Sequence, residues 1–227
     1  MDLYDDTNPI KTLDINSILT NTFFRMFLGL FASAITAFYT YYSGLYINIV
    51  MSNSYAILAV VEVAVVFVFS LLFKKLSPTA VTVLYFAYAF LNGFTLSVIF
   101  AVYEMSSIAY CFVATAALFG VLAYLGAKTD KDISNWGTIL TVALLVGVVL
   151  TLINLIIHST YFEIILDWGI LFIFFGLTVY DMNKIKRMQE MGFCEDEKLY
   201  VYGAMELYLD FINIFLRILY LFGKRRD

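Results

Sequence analysis

Long apolar segments are the feature of this sequence that most limits what it can fold into. A helix that crosses a bilayer needs roughly 20 predominantly apolar residues. Seven segments meet this description, namely 23–42, 54–73, 80–103, 108–126, 137–157, 164–185 and 205–222. They are apolar nearly all round, whereas the helices of a soluble bundle need polar outer faces. The sequence therefore predicts an all-α, polytopic membrane protein with seven transmembrane helices.

Composition leaves little room for a soluble domain. Apolar residues make up 62% of the chain and charged residues 14%, against about half and about a quarter in soluble domains. We expect a polar cytoplasmic segment over 1–21, one membrane domain over 22–223 and a basic tail over 224–227. The first 21 residues are acidic and polar, unlike a cleavable signal peptide. The net charge of −4, without runs of like charge, does not favour a nucleic-acid partner.

The distribution of lysine and arginine predicts the orientation. These residues occupy the second, fourth and sixth loops and are absent from the first, third and fifth. By the positive-inside rule, the N-terminus is cytoplasmic. The tail, which reads Lys224-Arg225-Arg226, disagrees, because seven spans would place it outside. Either the early loops dominate insertion, or one segment is re-entrant and the tail lies inside.

Local patterns predict how some helices begin and pack. Ser77 before Pro78 predicts an N-cap with proline at the first helical position, and Ser134 is expected to cap the fifth span. Small residues recur at intervals of three and four along the fourth span and predict a packing face. They are Ala116, Gly120, Ala123 and Ala127.

Ionisable residues inside the spans are costly and need a reason. The acidic ones are Glu62, Asp167, Asp181, Glu206 and Asp210. On the last span, Glu206, Asp210, Asn213 and Arg217 are spaced to share one helical face. Asp181 and Asp210 are predicted at similar depth in the cytoplasmic half, where they can face each other.

Two close carboxylates in a low dielectric cannot both ionise cheaply, so they would share a proton. Asp181 and Asp210 are thus a candidate proton sensor. Alternatively, Asp181 pairs with Lys184 or another cytoplasmic base, and Asp210 caps a buried polar cluster. Glu62 and Asp167 are expected to reach an interface or a helix end. No metal site and no resident cofactor are predicted.

Several motifs resemble those of the Bax inhibitor-1 (transmembrane Bax inhibitor motif) family. The most specific are YDMNKIK at 180–186 and LYLDFIN at 207–213. NGFTL at 92–96 and GAKTDKDIS at 126–134 are similar to further family motifs. The resemblance runs through spans two to seven. The acidic N-terminus and short tail are more typical of a bacterial member than of an animal one, which implies an inner (plasma) membrane location.

The resemblance implies a last helix surrounded by the other six and a pH-sensitive calcium leak. The family's paired aspartates, which act as its pH sensor, fall on Asp181 and Asp210. A basic latch from the end of the second span would fall on Lys74 or Lys75. An arginine is more usual there, and lysine cannot make the same bidentate contact. Glu206, Asn213 and Glu62 are expected to line the ion path.

Three classes of function are compatible with these residues to different degrees. The first is a calcium-permeable leak whose partners are the bilayer, calcium ions and protons. The second is a non-conducting regulatory protein that binds other membrane proteins, such as proteases. The third, an intramembrane aspartyl protease, would need Gly-x-Gly-Asp on the second catalytic helix. Here Tyr208-Leu209 precedes Asp210, so no enzyme is predicted.

Overall fold

The computed structural model describes residues 15–52 and 54–226, which form nine helices. Their bounds are α1 Ile15–Tyr42, α2 Leu45–Met51, α3 Ser54–Leu72, α4 Pro78–Leu96, α5 Ile99–Val102, α6 Met105–Lys128, α7 Ser134–Ile157, α8 Thr160–Glu190 and α9 Asp196–Phe222. The all-α class is confirmed. Most of the predicted segment 1–21 lies outside the described residues, and α1 begins within it.

The positions at which helices begin and break agree only in part with those predicted from the sequence. Ser77 caps α4 as predicted, accepting a hydrogen bond from the Ala80 backbone N–H at 3.3 Å. The predicted cap at Ser134 is wrong, because Ser134 is already helical and Asp132 accepts its N–H at 2.9 Å. The predicted third span is broken at Ser97 into α4 and α5.

Helix α9 forms the centre of the bundle. It packs against α1, α4, α6 and α8, and sixteen of its residues are buried. In contrast, α3 packs mainly against α2 and α4, and α7 mainly against α8. Asp210 of α9 is therefore buried inside the bundle, whereas Glu206, Asn213 and Arg217 are half-buried.

Five helical segments of the described chain are long and apolar enough to cross a membrane. They are Leu19–Tyr42, Pro78–Val102, Met105–Lys128, Ser134–Ile157 and Thr160–Glu190. The apolar part of α3, Ile57–Leu72, is shorter. Helix α9 is outside this set and carries Glu206, Asp210 and Arg217. The protein is therefore an all-helical membrane protein, and the seven-span count stays a prediction.

The C-terminal residues lie against the first and third loops. The Arg226 backbone N–H donates to the Val102 carbonyl at 2.9 Å, and the Arg226 guanidinium donates to the Tyr41 hydroxyl at 2.6 Å. The Glu104 backbone N–H donates to the Lys224 carbonyl at 3.0 Å. We call this the tail end of the bundle. The Arg25–Glu197 ion pair, 2.5 Å long, marks the opposite end, so α1 and α9 each run from one end to the other.

Helices α6 and α8 approach closely at Gly126. A Cβ atom there would lie 2.4 Å from the Val179 carbonyl oxygen. The buried face of α6 includes Cys111, Thr115, Phe119, Ala123 and Gly126. The predicted small-residue face is thus wrong in its first half, because Ala116 and Gly120 are exposed.

Candidate functional site

A cavity of about 690 Å³ lies beside α9, between α3, α7 and α8. We call it the central cavity. The ionisable side chains that line it are Glu62, Asp181, Lys184, Glu206, Asp210 and Arg217. The four residues predicted to share a face of α9 (Glu206, Asp210, Asn213 and Arg217) all line it. Four carboxyl groups against two basic groups give the cavity an acidic excess, which attracts cations.

The structure brings Asp181 and Asp210 to this one cavity. Asp181 projects from α8 and is 6% exposed, and Asp210 projects from α9 and is 3% exposed. Each is close enough to interact electrostatically with the other and with Glu206. Within the described part of the chain, Asp210 Oδ2 is buried and has no hydrogen-bond partner. A buried carboxyl oxygen in this state is a natural position for a proton or a cation.

Lys184 provides the positive charge beside these carboxyl groups. Its Nζ lies 3.5 Å from Glu206 Oε1 and 3.8 Å from Asp181 Oδ1. It also lies 5.0 Å from the ring centre of Tyr202 and 5.8 Å from that of Tyr180. The pairing of Asp181 with Lys184, which the sequence left as an alternative, is therefore present.

Of the two lysines predicted as a latch, Lys74 lines a small cavity together with Lys184. Lys74 and Lys75 are exposed, and Lys74 Nζ lies 4.7 Å from the ring centre of Phe193. Among the described residues, no ion pair joins either lysine to Asp181 or Asp210. The latch role of these lysines stays a prediction.

Glu62 begins a polar network that ties α3 to the core. Its carboxylate accepts hydrogen bonds from Thr95 Oγ1 at 2.6 Å and from Asn92 Nδ2 at 3.3 Å. The Tyr208 hydroxyl donates to Asn92 Oδ1 at 2.9 Å and lies 2.6 Å from Ser33 Oγ. Asn92 and Thr95 belong to the NGFTL motif. Glu62 thus reaches a buried polar cluster, and the sequence identified neither Tyr208 nor Ser33 as part of it.

Asp167 forms an ion pair with Arg217. It is only 3% exposed and lies about two turns inside α8, so it does not lie at a helix end. The pair borders a second cavity of about 280 Å³, which lies toward the tail end and is lined also by Tyr103, Asn154 and Glu163. We call this the tail-end pocket. The spacing of the apolar segments puts Asp167 and Arg217 on different spans but gives no sign that they pair.

Residues of the GAKTDKDIS motif bind the C-terminal part of α8. Lys186 Nζ lies 2.7 Å from Asp130 Oδ1, and Arg187 Nη1 lies 2.9 Å from Asp132 Oδ1. Hydrogen bonds from the side chain and backbone of Ser134, and from Arg187, lower the pKa of Asp132 to about 2. Lys186 lowers the pKa of Asp130 in the same way. These contacts hold α8, and with it Asp181, against the loop before α7.

Comparisons with known proteins extend over most of the chain. The profile of a family described as "Inhibitor of apoptosis-promoting Bax1" matches residues 15–227. The inner membrane protein YbhL of Escherichia coli K12 is 37% identical over 211 residues, which are 88% of each chain. An uncharacterised protein of Borreliella burgdorferi is 32% identical over 93% of this chain and 94% of its own. An uncharacterised membrane protein of Streptococcus pyogenes serotype M3 is 36% identical over 73% of this chain and 72% of its own.

Proposed function

The chain belongs to the Bax inhibitor-1 family of membrane proteins, and we propose that it is a pH-sensitive, calcium-permeable leak channel. The observation that carries the proposal is the acidic central cavity, in which Asp181 and Asp210 meet. Calcium binds carboxylate and carbonyl oxygens. A passage whose walls carry an excess of carboxyl groups therefore favours this cation over anions. The proposal includes no enzymatic step and no resident cofactor.

Protonation of the aspartate pair is the proposed gate. Asp181 faces Lys184 on its own helix and Glu206 and Asp210 on α9, with Tyr202 beside Lys184. A proton on the pair removes negative charge from the cavity wall and changes how strongly the site holds Lys184. Because both aspartates respond to the same local field, they are expected to act as one titrating unit.

The proposed membrane arrangement has seven spans: α1, α3, α4 with α5, α6, α7, α8 and α9. The position of the tail supports it, since the tail lies with the first and third loops and α9 runs between opposite ends of the bundle. The basic even-numbered loops favour a cytoplasmic N-terminus. The name of the E. coli relative supports an inner-membrane location.

Calcium flux in liposomes that contain only this protein tests the proposal. Asp181→Asn and Asp210→Asn should each flatten the dependence of flux on pH, and the double variant should add little, because residues that act together are non-additive. Glu195→Gln is the control, since Glu195 is exposed and stands before α9, where its side chain makes no capping hydrogen bond. Its pH profile should equal that of the wild type. A folded Asp210→Asn protein that keeps the full pH response would contradict this gate.

A non-conducting regulatory role is the second candidate. It is favoured by the contacts of Lys184 with Asp181 and Glu206, because an ion pair inside a bundle also serves as structure alone. In that role the protein binds other membrane proteins, such as proteases. The same liposomes separate the two functions, because a regulatory protein in the absence of its partners gives no calcium flux at any pH.

A further inference from the structure

We propose that the Arg217–Asp167 ion pair is a second barrier, which closes the central cavity toward the tail-end pocket. The proposal rests on the proposed function in treating the central cavity as the ion path. It concerns a different place from the aspartate pair, since Arg217 is seven residues beyond Asp210 on α9. That separation corresponds to about 10 Å along a helix.

The position of the pair is the first argument. The central cavity and the tail-end pocket share three lining residues, Thr151, Asn213 and Arg217. Arg217 therefore stands at the junction of the two spaces, and Asp167 lines the tail-end pocket beside it. An ion that moved between the two spaces across these shared residues would pass the guanidinium group.

The charge of the pair is the second argument. The other carboxyl groups of the central cavity attract cations, whereas the guanidinium at its mouth offers them no ligand and is held there by its pairing with Asp167. Arginine keeps its charge at any pH that the protein meets. The barrier is thus set by where Arg217 points and not by its own titration.

Glu163 is a second carboxylate with which the Arg217 guanidinium can pair. Glu163 precedes Asp167 by four residues, one helical turn toward the tail end, and it lines the same pocket as Arg217. The hydroxyl of Tyr220, one turn beyond Arg217, bonds Glu163. If the guanidinium moved from Asp167 to Glu163, it would stay paired while leaving the junction. That move would leave the buried carboxylate of Asp167 without its partner, which is costly, so the closed position with Arg217 on Asp167 is the favoured one.

Access to a cysteine in the central cavity tests this barrier. Leu209 lines the central cavity but not the tail-end pocket, so Leu209→Cys serves as the reporter. The native cysteines are first replaced (Cys111→Ala and Cys194→Ser). A trimethylammonium-ethyl methanethiosulfonate reagent, which is permanently positive and membrane-impermeant, is then added to one side of sealed vesicles at a time.

Removal of both charges should open the path. In Asp167→Asn/Arg217→Gln, labelling from the tail side should be severalfold faster, with no change from the opposite side. The charge-reversed Asp167→Arg/Arg217→Asp protein should label slowly again. The matched control is Arg25→Gln/Glu197→Gln, which removes the ion pair at the opposite end and should leave the tail-side rate unchanged.

An unchanged tail-side rate in the folded double variant would overturn the barrier. If that variant does not fold, Asp167→Asn/Arg217→Met supplies the same comparison, because methionine fills most of the arginine stem. Labelling requires no calcium, so it separates the two proposals. Faster labelling without added calcium flux would support the barrier and count against the calcium leak.

Discussion

Lys184 carries its charge into an acidic site from the same helix that supplies Asp181. Its Nζ is 3.5 Å from Glu206 and 3.8 Å from Asp181, so it occupies the position that a free cation would otherwise take. On the proposed function, a tethered cation of this kind would compete with calcium for the same oxygens. It also needs no contribution from the α3–α4 connection, where Lys74 and Lys75 lie.

Lys184→Gln should raise the basal calcium leak at neutral pH, because the carboxyl groups lose their internal counter-ion. We expect a smaller increase from Lys74→Gln/Lys75→Gln, since these exposed lysines form no ion pair with the aspartates among the described residues, and exposed pairs contribute little. Flux measured side by side in liposomes decides between them. A larger increase in leak for Lys74→Gln/Lys75→Gln than for Lys184→Gln would instead assign the latch role to the lysines that follow α3.

The sequence predicted which residues share a face, and that Asp181 and Asp210 can face each other, but not the other contacts between α8 and α9. Glu206, Asp210, Asn213 and Arg217 were correctly grouped because their spacing follows from helix geometry alone. The contact of Lys184 with Glu206, and that of Arg217 with Asp167, depend on how α8 and α9 are rotated about their axes. That rotation is set by the packing of the whole bundle, which no local spacing encodes.

At the scale of helices, the contact between α6 and α8 depends on one of two similar glycines. Both Gly120 and Gly126 are helical residues of α6, and sequence analysis chose Gly120 for the packing face. A Cβ at Gly120 would meet nothing within 4 Å, whereas one at Gly126 would meet the α8 backbone. The small-residue spacing was real, but it could not show which side of α6 faces lipid.

Gly126→Ala should therefore destabilise the protein, by about 1–3 kcal/mol as in other overpacked sites. Gly120→Ala is the matched control and should be neutral or stabilising by up to about 1 kcal/mol, the helix preference of alanine over glycine. Thermal unfolding of the detergent-solubilised proteins measures both. Equal melting temperatures for the two variants would show that α6 and α8 can separate freely at this point.

At the scale of the whole molecule, the two ends of the bundle have different chemistry. The end marked by Arg25 and Glu197 also holds the ion pairs of Lys186 and Arg187 with the loop before α7. The tail end holds the loops without lysine or arginine, with the basic tail bound across them. The tail lies on the side that seven spans require, although its charge alone predicted the opposite side.

Cysteines placed at Ser43, Ser106 and Ser159 should react with an impermeant reagent added outside intact cells, because Ser43 and Ser159 lie in odd-numbered loops and Ser106 lies in the first turn of α6, next to the third loop. Cysteines at Ser77 and Thr129 should react only after the membrane is opened. These two positions serve as internal controls, since they test the opposite face with the same chemistry. Protection of all three outer positions in intact cells would reverse the proposed orientation.

The enclosure of α9 has a consequence for how the protein is made. This helix follows the other eight described helices along the chain. The ribosome therefore synthesises the central helix after the helices that surround it. Alone in lipid, α9 would expose Glu206, Asp210 and Arg217 at a cost of several kcal/mol. Lys184 and Asp167, already present on α8, offer opposite charges to two of them. On the proposed topology, the insertion of α9 and its assembly into the bundle are therefore a single event during biosynthesis.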